Sequence, residues 1–402
     1  MRFILFILVF IAVSFSVQAL SFLGKDGFGL KNYPGDIRSR SMGLTGLTLS
    51  DSYNSSLMNP AVTSQTKTII FGFGETASMI SLSYNRFSDY TTDDNSFDMP
   101  YMNVIFPMVV KGLVVSAYYT SPLNSYFQGS FTQDSGYETP DTVTVEYYKN
   151  FNIVGFSTAY ELPFKVSLSV GLECAFGNDK TKYSVTNSEF TINTMEAQWE
   201  YGYTGYTPKF GFYYSNHGVS LGATYRSSMD ISTIPTYNDI EKAETTWLYP
   251  SEIGIGLGYS NEKFTVSGEY ITEKWSETTI NGYGATEDLT RIGFGGEYRF
   301  SFNWKFLRDK EKKIEIPLRA GYYIQKGLYR EGKESAFSFG TAFKPFKTNN
   351  ASIDLLLSFG SREMLLVDRS TTNLESMYKE DFITFGVSFT AKDLWFRDTK
   401  KK

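Results

Sequence analysis

Apolar and polar residues alternate along much of this chain. In residues 253–260 (IGIGLGYS), Ile253, Ile255, Leu257 and Tyr259 share one face, and Gly254, Gly256, Gly258 and Ser260 share the other. In residues 166–177, Val166, Leu168, Val170, Leu172, Cys174 and Phe176 stand opposite Ser167, Ser169, Gly171, Glu173, Ala175 and Gly177. Residues 219–226 and 383–390 repeat the pattern. Period two sustained over roughly eight to twelve residues predicts strands with one buried face. The connections alternate in length. Those at 110–112, 161–165, 216–218, 261–263 and 345–350 are short, whereas 121–141, 178–203, 228–249, 276–289 and 362–381 are long and polar. One connection on the short side, 301–313, is long and ends in a charged run.

Strands of ten or more residues joined by alternating short and long connections predict an all-β fold. It is a transmembrane antiparallel β-barrel of about fourteen strands, with short periplasmic turns and long outer loops. The strands centre near Leu82, Val104, Val115, Phe156, Val170, Phe212, Leu221, Ile255, Val266, Phe294, Leu318, Phe339, Leu357 and Phe385. Residues 67–74 form a further short strand, with the lower half of a bent first strand as its natural place. Trp247 and Trp275 fall at outer strand ends and Trp304 and Trp395 at inner ones, as girdles at the two interfaces require.

The phase of the alternation assigns Glu173, Arg226, Glu269, Arg291, Glu297, Arg299, Arg319 and Asp354 to the inward face. A charge on the lipid face would cost about 2–4 kcal/mol near the midplane, so this placement supports the registers. Both signs are mixed, which suits a polar network packed against an internal plug better than the one-sided field of an ion pore.

Composition agrees. Aromatic residues make up 17% of the chain, with Tyr 29, Phe 34 and Gly 34, while mean hydropathy is only −0.24. A barrel turns only every second residue to lipid, so its average hydropathy stays low. Net charge is −5, which offers nothing to nucleic acid. Cys174 and His217 are the single residues of their kinds, which excludes an intrachain disulfide framework and leaves no basis for a metal site, a cofactor or a Ser-His or Cys-His pair. The expectation is a non-enzyme, with His217 in a tight turn. At the N-terminus, Arg2 precedes an apolar stretch over 3–17, and Val17-Gln18-Ala19 is a signal-peptidase site, which predicts a cleaved signal peptide over 1–19. No Cys follows for lipidation. An exported chain without a long apolar helix that carries these strands belongs in the bacterial outer membrane, in contact with its lipid, as a monomeric barrel.

Residues 20–65 precede the barrel of 66–402 and contain Arg40, Gly43, Gly46, Asp51, Asn59, Pro60 and Ala61. Gly43 and Gly46 permit tight turns and close packing against a wall. Pro60 biases Asn59 towards an extended conformation, and Asn59 can bond its own backbone. An Arg, a Gly-x-x-Gly pair, an acidic residue and Asn-Pro-Ala just before a barrel resemble the N-terminal signature of the FadL-type transporters of long-chain fatty acids and hydrophobic compounds, whose relatives include PorV-type proteins. The resemblance implies a fourteen-stranded barrel with an N-terminal hatch formed by these residues. It also implies passive uptake of a hydrophobic, fatty-acid-like small molecule that leaves sideways at a kinked third strand. Residues 112–120 hold no internal Pro or Gly, so Pro107 of the second strand is the expected break. Arg226, Arg291, Arg299 and Arg319 are expected to anchor Asp51 or the hatch carbonyls. Phe127, Phe131, Tyr137, Phe190 and Trp199 are candidates for an apolar ligand pocket under the outer loops. The alternative function is that of a PorV-like scaffold in an outer-membrane assembly, with no transport of its own.

Overall fold

A computed structural model describes residues 30–50, 56–84, 90–133, 141–186, 195–238, 240–278, 287–304, 312–344, 350–368 and 374–393. Fourteen antiparallel strands close into a barrel. They are β1 Ile69–Tyr84, β2 Tyr90–Pro107, β3 Leu113–Gln133, β4 Asp141–Leu162, β5 Val166–Thr186 and β6 Met195–Asn216. Strand β7 runs in two pieces, Val219–Arg226 and Met229–Tyr237, and β8 likewise, Thr245–Tyr249 and Glu252–Ser260. The rest are β9 Phe264–Glu273, β10 Leu289–Trp304, β11 Lys312–Lys326, β12 Lys333–Phe343, β13 Ala351–Asp368 and β14 Leu374–Asp393. Closure is made by β14 on β1, from Tyr378↔Tyr84 to Asp393↔Ile69, so every strand has a neighbour on each side along at least part of its length.

Each strand centre read from the alternation falls inside one of these strands, and residues 69–74 are the lower half of β1. The outward row is exposed as lipid requires: Phe156, Leu168, Val170, Leu172, Leu221, Ile253, Ile255, Leu257, Phe294, Leu318, Phe339 and Phe385 all stand on it. Short turns join the strands at one end. His217 (φ 49°) and Gly218 (φ 85°) form one of them in left-handed conformations, which a two-residue hairpin turn needs.

Three readings of the sequence change. The connections read as long polar loops are largely strand: β3 runs on to Gln133, β4 begins at Asp141, and residues 229–237 and 245–249 pair with each other. Runs such as Thr142-Val143-Thr144-Val145 have strand propensity without a lipid face, so they extend the wall beyond the membrane. Trp247 and Trp275 are 7% and 0% exposed and lie inside the barrel rather than in an outer girdle. The side chains of Trp304 and Trp395 lie outside the described residues. Pro107 does not break the wall. It ends β2 in regular register with Val114, and the irregularities sit in β2 at Met99-Pro100, where pairing with β1 shifts between Gly74↔Tyr101 and Thr76↔Asp98, and in β3 at Ser121-Pro122, where pairing with β4 shifts between Thr120↔Ile153 and Leu123↔Phe151.

Four strands change phase on the way up, β2 among them: Tyr101, Asn103 and Ile105 point inward below its bulge at Met99-Pro100, but Ser96 points inward and Phe97 outward above it. Inward residues are Val114, Ser116, Tyr118 and Thr120 below the β3 irregularity, but Leu123 and Ser125 above it. In β7 they are Thr224 and Arg226 before the break at Ser227-Ser228, and Met229 and Ile231 after it. In β8, Trp247 and Tyr249 point inward, and after Pro250-Ser251 so do Glu252 and Gly254. A one-residue slip exchanges the faces of a strand.

Candidate functional site: the lumen and the segment inside it

Residues 31–50 and 56–65 are packed against the inward face of the wall, and most of their side chains are buried. The wall receives them on glycine. A Cβ at Gly386 would lie 2.8 Å from Ile37 Cδ1, one at Gly295 2.6 Å from Met42 Cα, one at Gly256 3.2 Å from Leu47 Cβ, one at Gly258 2.7 Å from Thr48 Oγ1, and one at Gly211 2.6 Å from Asn59 Oδ1. These positions connect across the sheet: Gly222 pairs with Gly256, Gly256 with Glu269, and Glu269 with Gly293. The polar half of the period-two pattern is thus a track of small residues that lets a second chain approach the sheet.

The segment fits the track by its own geometry. Helix α1, Ile37–Ser41, is capped by Asp36, whose carboxylate accepts from Ser39 N at 2.8 Å. Gly43 (φ 69°) turns the chain where a Cβ would lie 2.6 Å from the Tyr322 carbonyl oxygen. Gly46 abuts Met58 and Ser56 of the segment itself. Asn59 (φ −122°, ψ 99°) precedes a 3-10 turn over Pro60–Gln65. Its Oδ1 accepts from Ala61 N at 3.1 Å, and its Nδ2 donates to Leu47 O at 3.0 Å and Phe212 O at 2.9 Å. Ala61 is fully buried. Asp51 lies outside the described residues.

Besides the pair of Lys149 and Asp179 at 2.9 Å, the inward charges form three groups. In the first, Glu297 accepts from Arg38 of α1 through Nε at 2.9 Å and Nη2 at 3.0 Å, from Arg319 at 2.8 Å and from Arg299 at 3.0 Å. Arg319 also reaches Asp354 at 2.6 Å. In the second, Glu173 faces Lys209 at 3.0 Å and Arg226 at 3.8 Å, Arg226 faces Glu252 at 3.6 Å, and Glu273 accepts from Lys31 at 2.8 Å. In the third, Arg362 lies 3.7 Å from Glu334 and 3.6 Å from Glu380, beside a polar cavity of about 110 Å³ lined by Arg40, Asp98, Ser358, Thr384 and others. Glu269 stands apart and accepts from the backbone N–H groups of Gly46 (2.7 Å) and Leu47 (2.6 Å).

The expected anchoring of Asp51 by wall arginines lies outside the described residues, and among the described residues these arginines have other partners. Arg319 and Arg299 hold Glu297, which holds Arg38. Arg226 donates to the wall carbonyl of Pro250 at 3.1 Å, and Arg291 lies over the ring of Tyr33 at 4.4 Å. Arg40 turns back on its own segment, donating to Asn32 Oδ1 at 2.5 Å and to the Tyr33 carbonyl. Arg38, Lys31, Lys209, Glu252 and Glu273 were missed in the sequence. The inward phase could have found Lys209 and Glu252 but not the residues of the segment.

Next to the segment lies a packed aromatic cluster. Phe151 is 5.1 Å from Tyr249 and 5.7 Å from Trp247, and Tyr249 meets Trp275 edge-on at 5.7 Å. Tyr203, Met229, Ile231 and Leu289 complete it. Its members Leu123, Met229, Ile231, Trp247 and Tyr249 come from the outer halves of β3, β7 and β8, beyond their phase breaks. The ligand pocket expected at Phe127, Phe131, Tyr137 and Phe190 falls outside the described residues or side chains. Trp199 is half-buried and packs on Tyr237 at 4.3 Å, apart from the cluster.

Beside this cluster the β2–β3 backbone ladder ends and side chains bridge the two strands, Asn124 of β3 donating to Asp98 of β2 at 2.9 Å. Strands β2 and β3 pair only from Pro107↔Val114 to Tyr101↔Thr120. Above that, β3 pairs with Leu30–Lys31 of the segment (Leu30↔Asn124, Lys31↔Leu123), and Asn32 N donates to Pro122 O at 2.8 Å.

This fold has solved counterparts. A FadL homologue from Pseudomonas aeruginosa is similar at a TM-score of 0.66 and 10% identity, covering 90% of this chain and 99% of that one. The toluene transporter TodX of Pseudomonas putida is similar at 0.59 and 14%, covering 92% and 99%. The toluene transporter TbuX of Ralstonia pickettii is similar at 0.57 and 14%, with the same coverage. No protein-family model matches the sequence, and no curated protein is similar to it. The protein has the β-barrel of the FadL-type fold. At these identities the likeness is one of fold.

Proposed function

We propose that the protein is a channel by which hydrophobic compounds cross the outer membrane, with residues 20–65 as a plug after removal of residues 1–19. The observation that carries this reading is the end of the β2–β3 ladder next to the aromatic cluster. A compound that enters from outside meets these rings and a packed segment below them. The exit is sideways, where the ladder has ended, Leu30–Asn32 covers the β3 edge and the bridge to be parted is that of Asn32 and Asn124 to Asp98 of β2. The bulge at Ser121-Pro122 creates that edge by turning β3 away from β2. Toluene is the cargo named for two of the similar structures, and long-chain fatty acids share the apolar body such rings contact. The rings favour flat, hydrophobic molecules.

Deleting Pro122 removes the extra residue of the bulge and lets β3 continue its register with β4. Cells that depend on this protein for uptake of radiolabelled toluene or oleate should lose uptake with this deletion while the barrel still inserts. Unchanged uptake would reject the lateral route. Deleting residues 20–45 should raise single-channel conductance in planar bilayers, and unchanged conductance would reject the plug.

A further inference from the structure

We propose that Tyr249, Trp275 and Glu273 form a binding site for organic ammonium ions, occupied in this structure by the side chain of Lys31. Lys31 Nζ lies 5.6 Å from the ring centroids of both Tyr249 and Trp275 and 2.8 Å from Glu273 Oε2. The Trp275 indole N–H donates to the same carboxylate oxygen at 2.7 Å, which fixes ring and carboxylate against each other. Two ring faces and a carboxylate around one ammonium are the chemistry by which proteins take organic cations. The side chains of Lys31 and Glu273 are 4% and 2% exposed, so water does not complete the pair.

The walls and the occupant have different origins. Tyr249, Glu273 and Trp275 belong to β8, the end of β9 and the turn that follows it. Lys31 arrives on a segment that meets the wall here through a two-residue strand and the Asn32–Pro122 bond. The barrel thus builds the box, and the segment fills it.

Charge decides the class of ligand. The barrel itself brings two cations, Lys209 and Arg226, and three carboxylates, Glu173, Glu252 and Glu273. Arg291, the next cation along the wall, is turned to Tyr33. Lys31 is the one cation bonded to Glu273 among the described residues. If Lys31 withdraws, a neutral or anionic replacement leaves a buried negative charge without its partner, whereas an ammonium supplies one. The side chain that leaves is a butylammonium, so a primary alkylammonium of about that length fits what remains.

The test is chemical complementation in the detergent-solubilised full chain, which needs no transport and so stands or falls apart from the channel reading. K31A should lose thermal stability, and n-butylammonium chloride should restore it, while 1-butanol and sodium butyrate should not. Tryptophan fluorescence should show n-butylammonium binding K31A at least tenfold more tightly than the wild type, and K31A/E273Q should lose that preference. Equal rescue by butanol, or no rescue by butylammonium, overturns the proposal. Should K31A fail to fold, n-hexylammonium and 1-hexanol titrated into the wild type decide it. A fluorescence response to the cation alone, absent in E273Q, supports the site, and equal responses overturn it.

Discussion

Arg38 grips Glu297 with two parallel N–H···O bonds, 2.9 Å from Nε to Oε2 and 3.0 Å from Nη2 to Oε1. This is the fork-on-fork geometry that makes guanidinium–carboxylate pairs both strong and directional. It fixes the rotation of α1 about its axis and joins the segment to β10.

The same pair predicts an asymmetry. In R38M, Glu297 keeps Arg319 and Arg299, so the loss is that of one partner. In E297Q, Arg38, Arg299 and Arg319 all lose a carboxylate at once, and Arg319 keeps Asp354. Breaking a buried pair typically costs about 3–5 kcal/mol when a charge is stranded. E297Q should be the more destabilised of the two by at least about 1 kcal/mol. Urea unfolding in detergent checks it, and equal midpoints would count against the network.

Gly43 gives a second prediction. G43A adds a Cβ 2.6 Å from the Tyr322 carbonyl oxygen, at a φ of 69° that itself costs roughly 1–2 kcal/mol for an L residue. The barrel strands are untouched, so heat-modifiable gel migration should persist while the segment becomes open to trypsin at Arg38 and Arg40. A variant as protease-resistant as the wild type would show that the segment can shift without loss.

Cys174 gives a third. It lies on the outward face between Leu172 (46% exposed) and Phe176 (42%), and pairs with Val154 of β4. A membrane-permeant maleimide should label it in vesicles, and a charged maleimide added from water should label it at least tenfold more slowly. Fast labelling by the charged reagent would place the thiol in the lumen.

A fourth concerns pH at the outer rim. Asp288 follows the outer connection and accepts from Lys274 Nζ at 2.6 Å, Ser276 Oγ at 2.6 Å and Ser276 N at 3.2 Å. Burial pushes its carboxyl up, but the bonds from Lys274 and Ser276 outweigh burial and hold it below the usual carboxylate value. A depressed pKa means that the stabilisation is present above the unfolded-state pKa and is lost as pH falls through the folded value. Proteolysis of the 274–288 connection should therefore accelerate below about pH 4. In D288N it should be fast at every pH, and a pH-independent wild-type rate would contradict the assignment.

Much of the barrel was legible because lipid takes the place of a core. Ile253, Ile255 and Leu257 must face it, and glycine and serine between them must face inward. Trp247 was misplaced because the phase set by Ile253 does not survive Pro250-Ser251, and nothing in the composition of that step announces a slip. Pro122 lay in a stretch polar enough to pass for a loop, so attention stayed on Pro107. In the segment, Arg38 and Arg40 are two residues apart and equal in sequence. The Asp36 cap and the five-residue α1 turn Arg38 towards Glu297, and that rotation is a property of three dimensions. The charged groups facing the segment were legible as an inward set, but not their partners.

The glycine track crosses β14, β12, β11, β10, β8, β7 and β6, and no single hairpin contains enough of it to hold residues 37–61. Its docking surface exists only once those strands lie side by side and curved. The segment must therefore remain undocked while the hairpins assemble, because a contact of such sequence separation gains nothing until its closure cost has been met. Closure of the wall is therefore a precondition for the docking of residues 37–61, and a barrel that fails to close has no surface to receive them.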